Sequence, residues 1–205
     1  MKDFILDHFY IVLPIEHFRS LIQPMAEKYG AIHKVVKSGS TGWEGLYIYS
    51  DEGTYFEILC ENQPYIQAGQ LGIALSSRHG SPDLKAHLAT LESRLDVYDR
   101  LDENNNLWFK AYSLNDLPEI PKAYVWYMDY QTNYQIERFN KKSNKVKRFK
   151  QAHLKLPDAT IKELRGFEVL PDFPPPLKFE LSKGQSFQII LTPSKDEINF
   201  EIEVE

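Results

Sequence analysis

Phe4-Ile5-Leu6-Asp7-His8-Phe9-Tyr10-Ile11-Val12-Leu13-Pro14 opens the chain with a β-branched and aromatic run that proline ends, the pattern of a buried strand. Directly after it the apolar period changes from two to about 3.6. Phe18, Leu21, Ile22, Met25 and Tyr29 fall on one helical face, and Gly30 is placed as a C-terminal cap. Pro24 inside that helix is a local conflict. Ala31 to Lys37 then reads as a strand, Ser38 to Gly42 as a loop and Trp43 to Tyr49 as another strand. Ser50-Asp51-Glu52-Gly53 is a hairpin turn with Gly53 suited to a positive φ, and Thr54 to Cys60 completes the set. The order is strand, helix, three strands.

The same order recurs from Leu71. Leu71 to Ser77 reads as a strand, and Ser81-Pro82-Asp83 supplies an N-cap with proline at the first helical position. Leu84, Leu88, Leu91 and Leu95 share the face of the helix that follows. Asp96 to Leu101 and Leu107 to Leu114 form a hairpin across 102–106, and Ala123 to Tyr130 is a last strand. A polar, basic stretch from Gln131 to Lys147 reads as a solvated connector. A third, smaller unit then begins with the strand Arg148 to Leu156 and a short helix from Pro157-Asp158 that Gly166 stops. Its strands are Leu177 to Leu181, Ser186 to Thr192 and Ile198 to Val204, while Pro171 to Pro176 is too rich in proline for a central strand. Phe187-Gln188-Ile189-Ile190 and Asn199-Phe200-Glu201-Ile202 resemble the earlier hairpin Leu46-Tyr47-Ile48-Tyr49 and Tyr55-Phe56-Glu57-Ile58. The expected domains are paired modules over 1–130 (1–62 and 70–130), a connector over 131–147 and the reduced third module over 148–205.

Composition bounds the function. At 205 residues with 42% hydrophobic content, the chain is long enough for a packed core. A net charge of −5, from 24 basic and 29 acidic residues, lacks the cationic footprint that a phosphate backbone requires, so nucleic acid is not an expected partner. A lone cysteine, Cys60, excludes an internal disulfide and an all-cysteine metal cluster. Asp7 and His8 interrupt the N-terminal apolar stretch, and no run reaches membrane-spanning length, so the expected address is the cytoplasm. No glycine-rich phosphate loop, Gly-x-Ser-x-Gly elbow or His-Glu-x-x-His helix is present.

The opening strand Leu6 to Pro14, the helix and the hairpin ending in Gly45-Leu46-Tyr47-Ile48-Tyr49 and Tyr55-Phe56-Glu57-Ile58-Leu59 together resemble the first module of the vicinal oxygen chelate superfamily. That superfamily includes glyoxalases, extradiol dioxygenases and bleomycin-resistance proteins. Leu71-Gly72-Ile73-Ala74-Leu75 is similar to the opening of its second module, and Ala152-His153-Leu154-Lys155-Leu156-Pro157-Asp158 to another opening. The likeness covers most of residues 4 to 130 and is closest to a glyoxalase-like subgroup without an assigned activity. It implies an α+β fold of repeated βαβββ modules forming an open curved β-sheet barrel with helices outside, plus a reduced third module. The third has no internal partner, so it either packs as a lid or pairs across a homodimer.

In the superfamily a divalent metal sits between ligands, typically histidine and glutamate, on the first and last strands of each module. By position, His8 and Glu57 match the ligands of module one, which implies one divalent ion among manganese, iron, nickel and zinc. Module two departs from the pattern: the alignment puts Gly72 and Trp126 at the matching places, and neither ligates a metal through its side chain. His79 is the nearest substitute.

Independently of any family, Glu57 is a carboxylate in an apolar and aromatic strand, so it is the candidate catalytic residue. His8 shares its predicted face with Leu6, Tyr10 and Val12. Tyr10, Tyr47, Tyr55 and Trp126 are the candidate substrate-binding residues, since tyrosine and tryptophan give an apolar wall with polar edges. Glu201 falls on a cleanly polar face, His153 has polar neighbours, and His17, His33 and His87 lack a convergent partner in the sequence. Two functions follow. One is a small-molecule-binding protein with a degenerate metal site and a pocket for an aromatic or amphipathic ligand. The other is a metal-dependent lyase, isomerase or dioxygenase in which Glu57 transfers a proton on a small oxygenated substrate.

Overall fold

The first strand, β1 (Phe4–Leu13), is buried on both faces and takes partners along both edges. It is the hinge of the architecture. In the computed structural model, residues 4–38, 41–77, 82–101, 106–130, 144–167, 176–181, 184–195 and 197–205 are described. After β1 come α1 (Ile15–Tyr29), β2 (Ile32–Ser38), β3 (Thr41–Tyr49) and β4 (Tyr55–Cys60). The second unit is β5 (Leu71–Ser77), α2 (Pro82–Thr90), β6 (Leu95–Leu101), β7 (Leu107–Leu114) and β8 (Ala123–Tyr130). The third is β9 (Phe149–Pro157), α3 (Asp158–Leu164), β10 (Leu177–Glu180), β11 (Ser186–Ser194) and β12 (Asn199–Val204).

Modules one and two have identical pairing. β1 runs parallel to β4, which is antiparallel to β3, which is antiparallel to β2. Likewise β5 runs parallel to β8, followed by β7 and β6 antiparallel. The modules join through their first strands, β1 and β5 lying antiparallel with Phe9 opposite Ile73. The result is a curved mixed sheet of twelve strands. As predicted, α1 buries Phe18 and Tyr29 and presses Leu21, Ile22 and Met25 on the core. It ends at Gly30, where φ is 70° and the N–H bonds the Ala26 carbonyl. The helix passes through Pro24, which lies on its exposed side. Gly53 takes the positive φ, 87°, that its hairpin requires.

The third unit differs from the order read in the sequence. β9 runs parallel to β11, while β12 lies antiparallel on the other edge of β9. β10 pairs with β11 and touches β1 through Ile5 and Glu180. The hairpin suggested by the likeness of Phe187–Ile190 and Asn199–Ile202 to module one is therefore not formed. Its strands stay separate because β11 remains paired with β9 out to Ser194 opposite Pro157, and the chain then crosses the end of β9 before Asn199 meets Lys155. Glu201 is exposed, as its alternation predicted.

This unit packs on the convex side and is not a lid over the concave face. Phe9 and Phe56 stack at 4.5 Å, and Phe187, Phe149 and Phe200 close round them. Thr160 Oγ1 donates to the Gly69 carbonyl (2.7 Å), and Glu163 accepts the Lys122 and Ala123 N–H groups. A helix of the third unit thus holds the link between modules one and two and the start of β8. The end of the connector is pinned rather than solvated: Val146 is buried and its carbonyl accepts the Asp51 N–H (3.0 Å). Ser81, His79, the turn at 102–105, the connector's first part and most of the proline tract lie outside the described residues. Among the described residues no helix is long and apolar enough to cross a membrane.

Candidate functional site on the concave face

Alternation along β1 and β4 splits their residues between two environments. Phe9, Ile11, Phe56, Ile58 and Cys60 enter the convex core, whereas Tyr10, Val12 and Leu59 pack together on the concave side. A register shift between Leu6 and His8 breaks the alternation. Leu6 therefore joins Phe9 in the convex core and does not share His8's face, contrary to the strict period-two expectation. The irregularity brings Asp7 beside His8. Asp7 Oδ1 lies 2.6 Å from His8 Nδ1, and the two residues are only 1% and 5% exposed. Tyr130 at the end of β8 donates its hydroxyl to the same Asp7 oxygen at 3.3 Å.

Strand register gathers the predicted residues. His8 lies opposite Tyr55, and Tyr10 opposite Glu57. Glu57 is in turn opposite Tyr47 of β3. The His8 ring stacks on Tyr55 at 4.3 Å and meets the Trp126 ring edge at 5.1 Å. Tyr10 lies 5.8 Å from Trp126, and Tyr124 stacks on Trp126 at 5.1 Å. Tyr47 stands 6.4 Å from Tyr55, its hydroxyl accepting from Trp43 Nε1 (2.6 Å). Every predicted site residue thus lies on one concave aromatic wall.

Glu57 is half-buried among these rings. Burial pushes its carboxyl above the usual carboxylate range, with His8, Lys34 and a hydrogen bond from Tyr55 pulling the other way. Burial likewise raises Tyr10 and Tyr55, assisted by charge on Tyr124 and Glu57 respectively. These hydroxyls stay protonated and act as neutral donors.

The register also fixes which positions of the two modules correspond. His8 faces Tyr55 and Glu57 follows two residues on; Gly72 faces Tyr124 and Trp126 follows two residues on. Gly72 and Trp126 hold the second module's places for His8 and Glu57. Gly72 is also directly opposite Tyr10, whose ring lies over it. A Cβ at Gly72 would come 2.0 Å from Tyr10 Cε1, so the absence of a side chain is what admits the ring. A divalent ion at the four positions implied by the sequence resemblance would therefore lack two donors in module two, where an aromatic ring fills the space of one. Among the described residues no group of three or more His, Cys, Asp and Glu is placed to hold an ion.

Several participants escaped the sequence reading. Asp7 was hidden because regular alternation turns it away from His8. Lys34 of β2 reaches Tyr49 (2.8 Å) and lies over the Tyr47 ring at 4.7 Å, a contact between strands that only the register reveals. His33 and His87 do have partners: His33 Nε2 lies 2.6 Å from Glu44, and His87 Nε2 2.8 Å from the Tyr127 hydroxyl. Cys60 is buried and its thiol is pushed up by that burial, in keeping with a structural role. His153 is exposed and bonds Gln151.

No family model matches the chain, and no curated protein is similar to it in sequence. Among solved structures, a hypothetical protein from Staphylococcus aureus is similar over 92% of this chain and 86% of its own, with a TM-score of 0.53 and 11% identity. Methylmalonyl-CoA epimerase from Mycobacterium tuberculosis matches 63% of this chain and 90% of its own (TM-score 0.39, 13% identity). A putative dioxygenase from Bacillus subtilis matches 94% and 65% (TM-score 0.36, 11% identity). With two βαβββ units, each closing its first strand on its last and joined first strand to first strand, the chain has a glyoxalase-like fold.

Proposed function

We propose that the protein binds a small aromatic or amphipathic molecule on its concave face, without a metal bridging the two modules. The observation that carries this reading is the Tyr10 ring laid over Gly72, which turns the second half of a metal site into part of an aromatic wall. A planar ligand would stack among Tyr10, Tyr55 and Trp126, and its polar group would meet Glu57. With its carboxyl raised by burial, Glu57 is suited to exchange between accepting a hydrogen bond and donating one. Tyr47 would close the wall beside Tyr55.

Calorimetric titration with indole and naphthol tests the idea. Saturable binding that weakens at least tenfold in Trp126→Ala, with no requirement for added metal, is the expected result. Stoichiometric manganese, iron, nickel or zinc in the purified protein that disappears in the His8→Ala/Glu57→Ala double variant would overturn it.

One observation favours the second reading, a metal-dependent lyase, isomerase or dioxygenase. Asp7 holds His8 Nδ1 and so leaves Nε2 as the ring nitrogen for an external partner, the arrangement by which a carboxylate orients a ligating histidine. His8 and Glu57 would then be the protein ligands, and the metal analysis above discriminates between the readings.

A further inference from the structure

Among the described residues the sheet ends in three free edges, β2, β6 and β12. A free edge offers unpaired N–H and C=O groups to another chain unless charge, proline or cover blunts it. β2 carries Lys34 and Lys37 and no acid, and β12 alternates Glu201 and Glu203 with its apolar residues. A second copy of either strand would bring like charge to like. β6 is different: Leu95-Asp96-Val97-Tyr98-Asp99-Arg100-Leu101 has no proline and carries charges of both signs, so a second copy can set opposite charges against each other. It is also open on both sheet faces, with Val97 51%, Tyr98 53% and Leu101 53% exposed. The cause lies in the helices. α1, with 15 residues, packs across β2, β3 and β4, whereas α2, with 9, packs chiefly on β5, and β6 at the far edge of its module is largely exposed.

We propose that β6 is a self-complementary interface through which two copies of this chain join edge to edge, antiparallel, about a two-fold axis at Tyr98. In that register Tyr98 meets its symmetry mate. Asp96 faces Arg100 of the partner, and by symmetry Arg100 faces the partner's Asp96, giving two opposite-charge cross-strand pairs. Leu95 faces Leu101, again twice. Val97 faces Asp99, whose carboxylate already has Lys110 at 3.0 Å in its own chain. Asp96 and Arg100 form no ion pair among the described residues of their own chain, so each is available for the other. The interface is isologous, as a two-fold dimer requires. Asp96 stands in register with Ser113 and, through it, Trp126, so the joined sheet would run the two concave faces into one.

Sedimentation of the full chain and a charge swap test this pairing. The wild type should sediment as a dimer. Asp96→Arg and Arg100→Asp should each weaken the dimer roughly tenfold or more, because each replaces two attractive pairs by two repulsive ones. The double variant Asp96→Arg/Arg100→Asp should dimerise again, since the swapped charges face each other across the axis. All the substituted side chains are exposed, and near-ultraviolet circular dichroism checks that each variant keeps its fold. A monomeric wild type, a dimer indifferent to both single variants, or a folded double variant no better than the singles would each overturn the proposal.

Discussion

Modules one and two share a strand order and a register but not a chemistry. At corresponding positions the first has His8 and Glu57, and the second has Gly72 and Trp126. The two differences are linked in space, because Tyr10 from module one crosses onto module two at the point where Gly72 provides room. The convex sides differ too. Module one has a buried carboxylate, Glu44 on β3, held by Arg19 of α1, His33 of β2 and Asn62, which ties its helix to its outer strands. In module two the corresponding strands β6 and β7 lie largely exposed or half-exposed. A fold repeated twice in one chain can thus keep its backbone pairing, which depends on alternation and turns, while its halves specialise in opposite directions.

The asymmetry between the modules is most sensitive at Gly72. Gly72→Val should cost about 1–3 kcal/mol in denaturant unfolding, because the Tyr10 ring must leave its place in a packed wall. Adding Tyr10→Ala should recover part of that loss, and a double-mutant cycle showing simple additivity would mean that the ring and the glycine are not coupled.

Arg19→Ala should lower stability in denaturant unfolding, by less than the Gly72 change, because it leaves the buried Glu44 carboxylate with only His33 and Asn62. Burial opposes ionisation of Glu44, but the hydrogen bonds from Arg19 and His33 outweigh it and hold its carboxyl below the usual range. Its stabilisation is therefore present above the ordinary carboxylate pKa and lost as pH falls through the lowered folded value. Acid titration of the Arg19→Ala variant should show a shallower loss of stability than the wild type over that window.

Glu57 has the opposite sign. Its folded carboxyl is raised, so the native state favours the protonated form, and stability falls as pH rises from the unfolded pKa through the raised folded one. Glu57→Gln should raise the unfolding temperature by a few degrees at neutral pH and leave it unchanged in acid well below the unfolded pKa. A uniform effect at both pH values would show that packing and not charge is responsible. Smallest of all, Lys34→Met should cost at most about 1 kcal/mol, since its cation sits over the Tyr47 and Tyr49 rings near the rim. A larger loss would place Lys34 inside the structural core of the wall.

The strand boundaries from Phe4 to Tyr130 were readable because apolar period and turn chemistry act locally. The alternation of β4 placed Glu57 on the side away from Phe56 without any coordinates. Asp7 was not readable as His8's partner, since a register irregularity is a property of two paired strands and not of either alone. The third unit misled for a related reason. Phe200 and Glu201 look like Phe56 and Glu57 in sequence, yet β12 pairs with the opposite edge of β9, and no local signal tells a strand which edge to take.

The alternation of strands and helices, the repeat of the βαβββ unit, and the presence of Gly72 and Trp126 where the first unit has His8 and Glu57 are all written in the order of the residues. Those depend on side-chain chemistry and short-range periodicity. It took the packed fold to set the Tyr10 ring over Gly72, to bring Asp7 to His8, to place the third unit, and to leave one edge of the sheet bare. Each of these is a contact between segments far apart in the chain, and its energy is set by register and packing that no single stretch of residues contains.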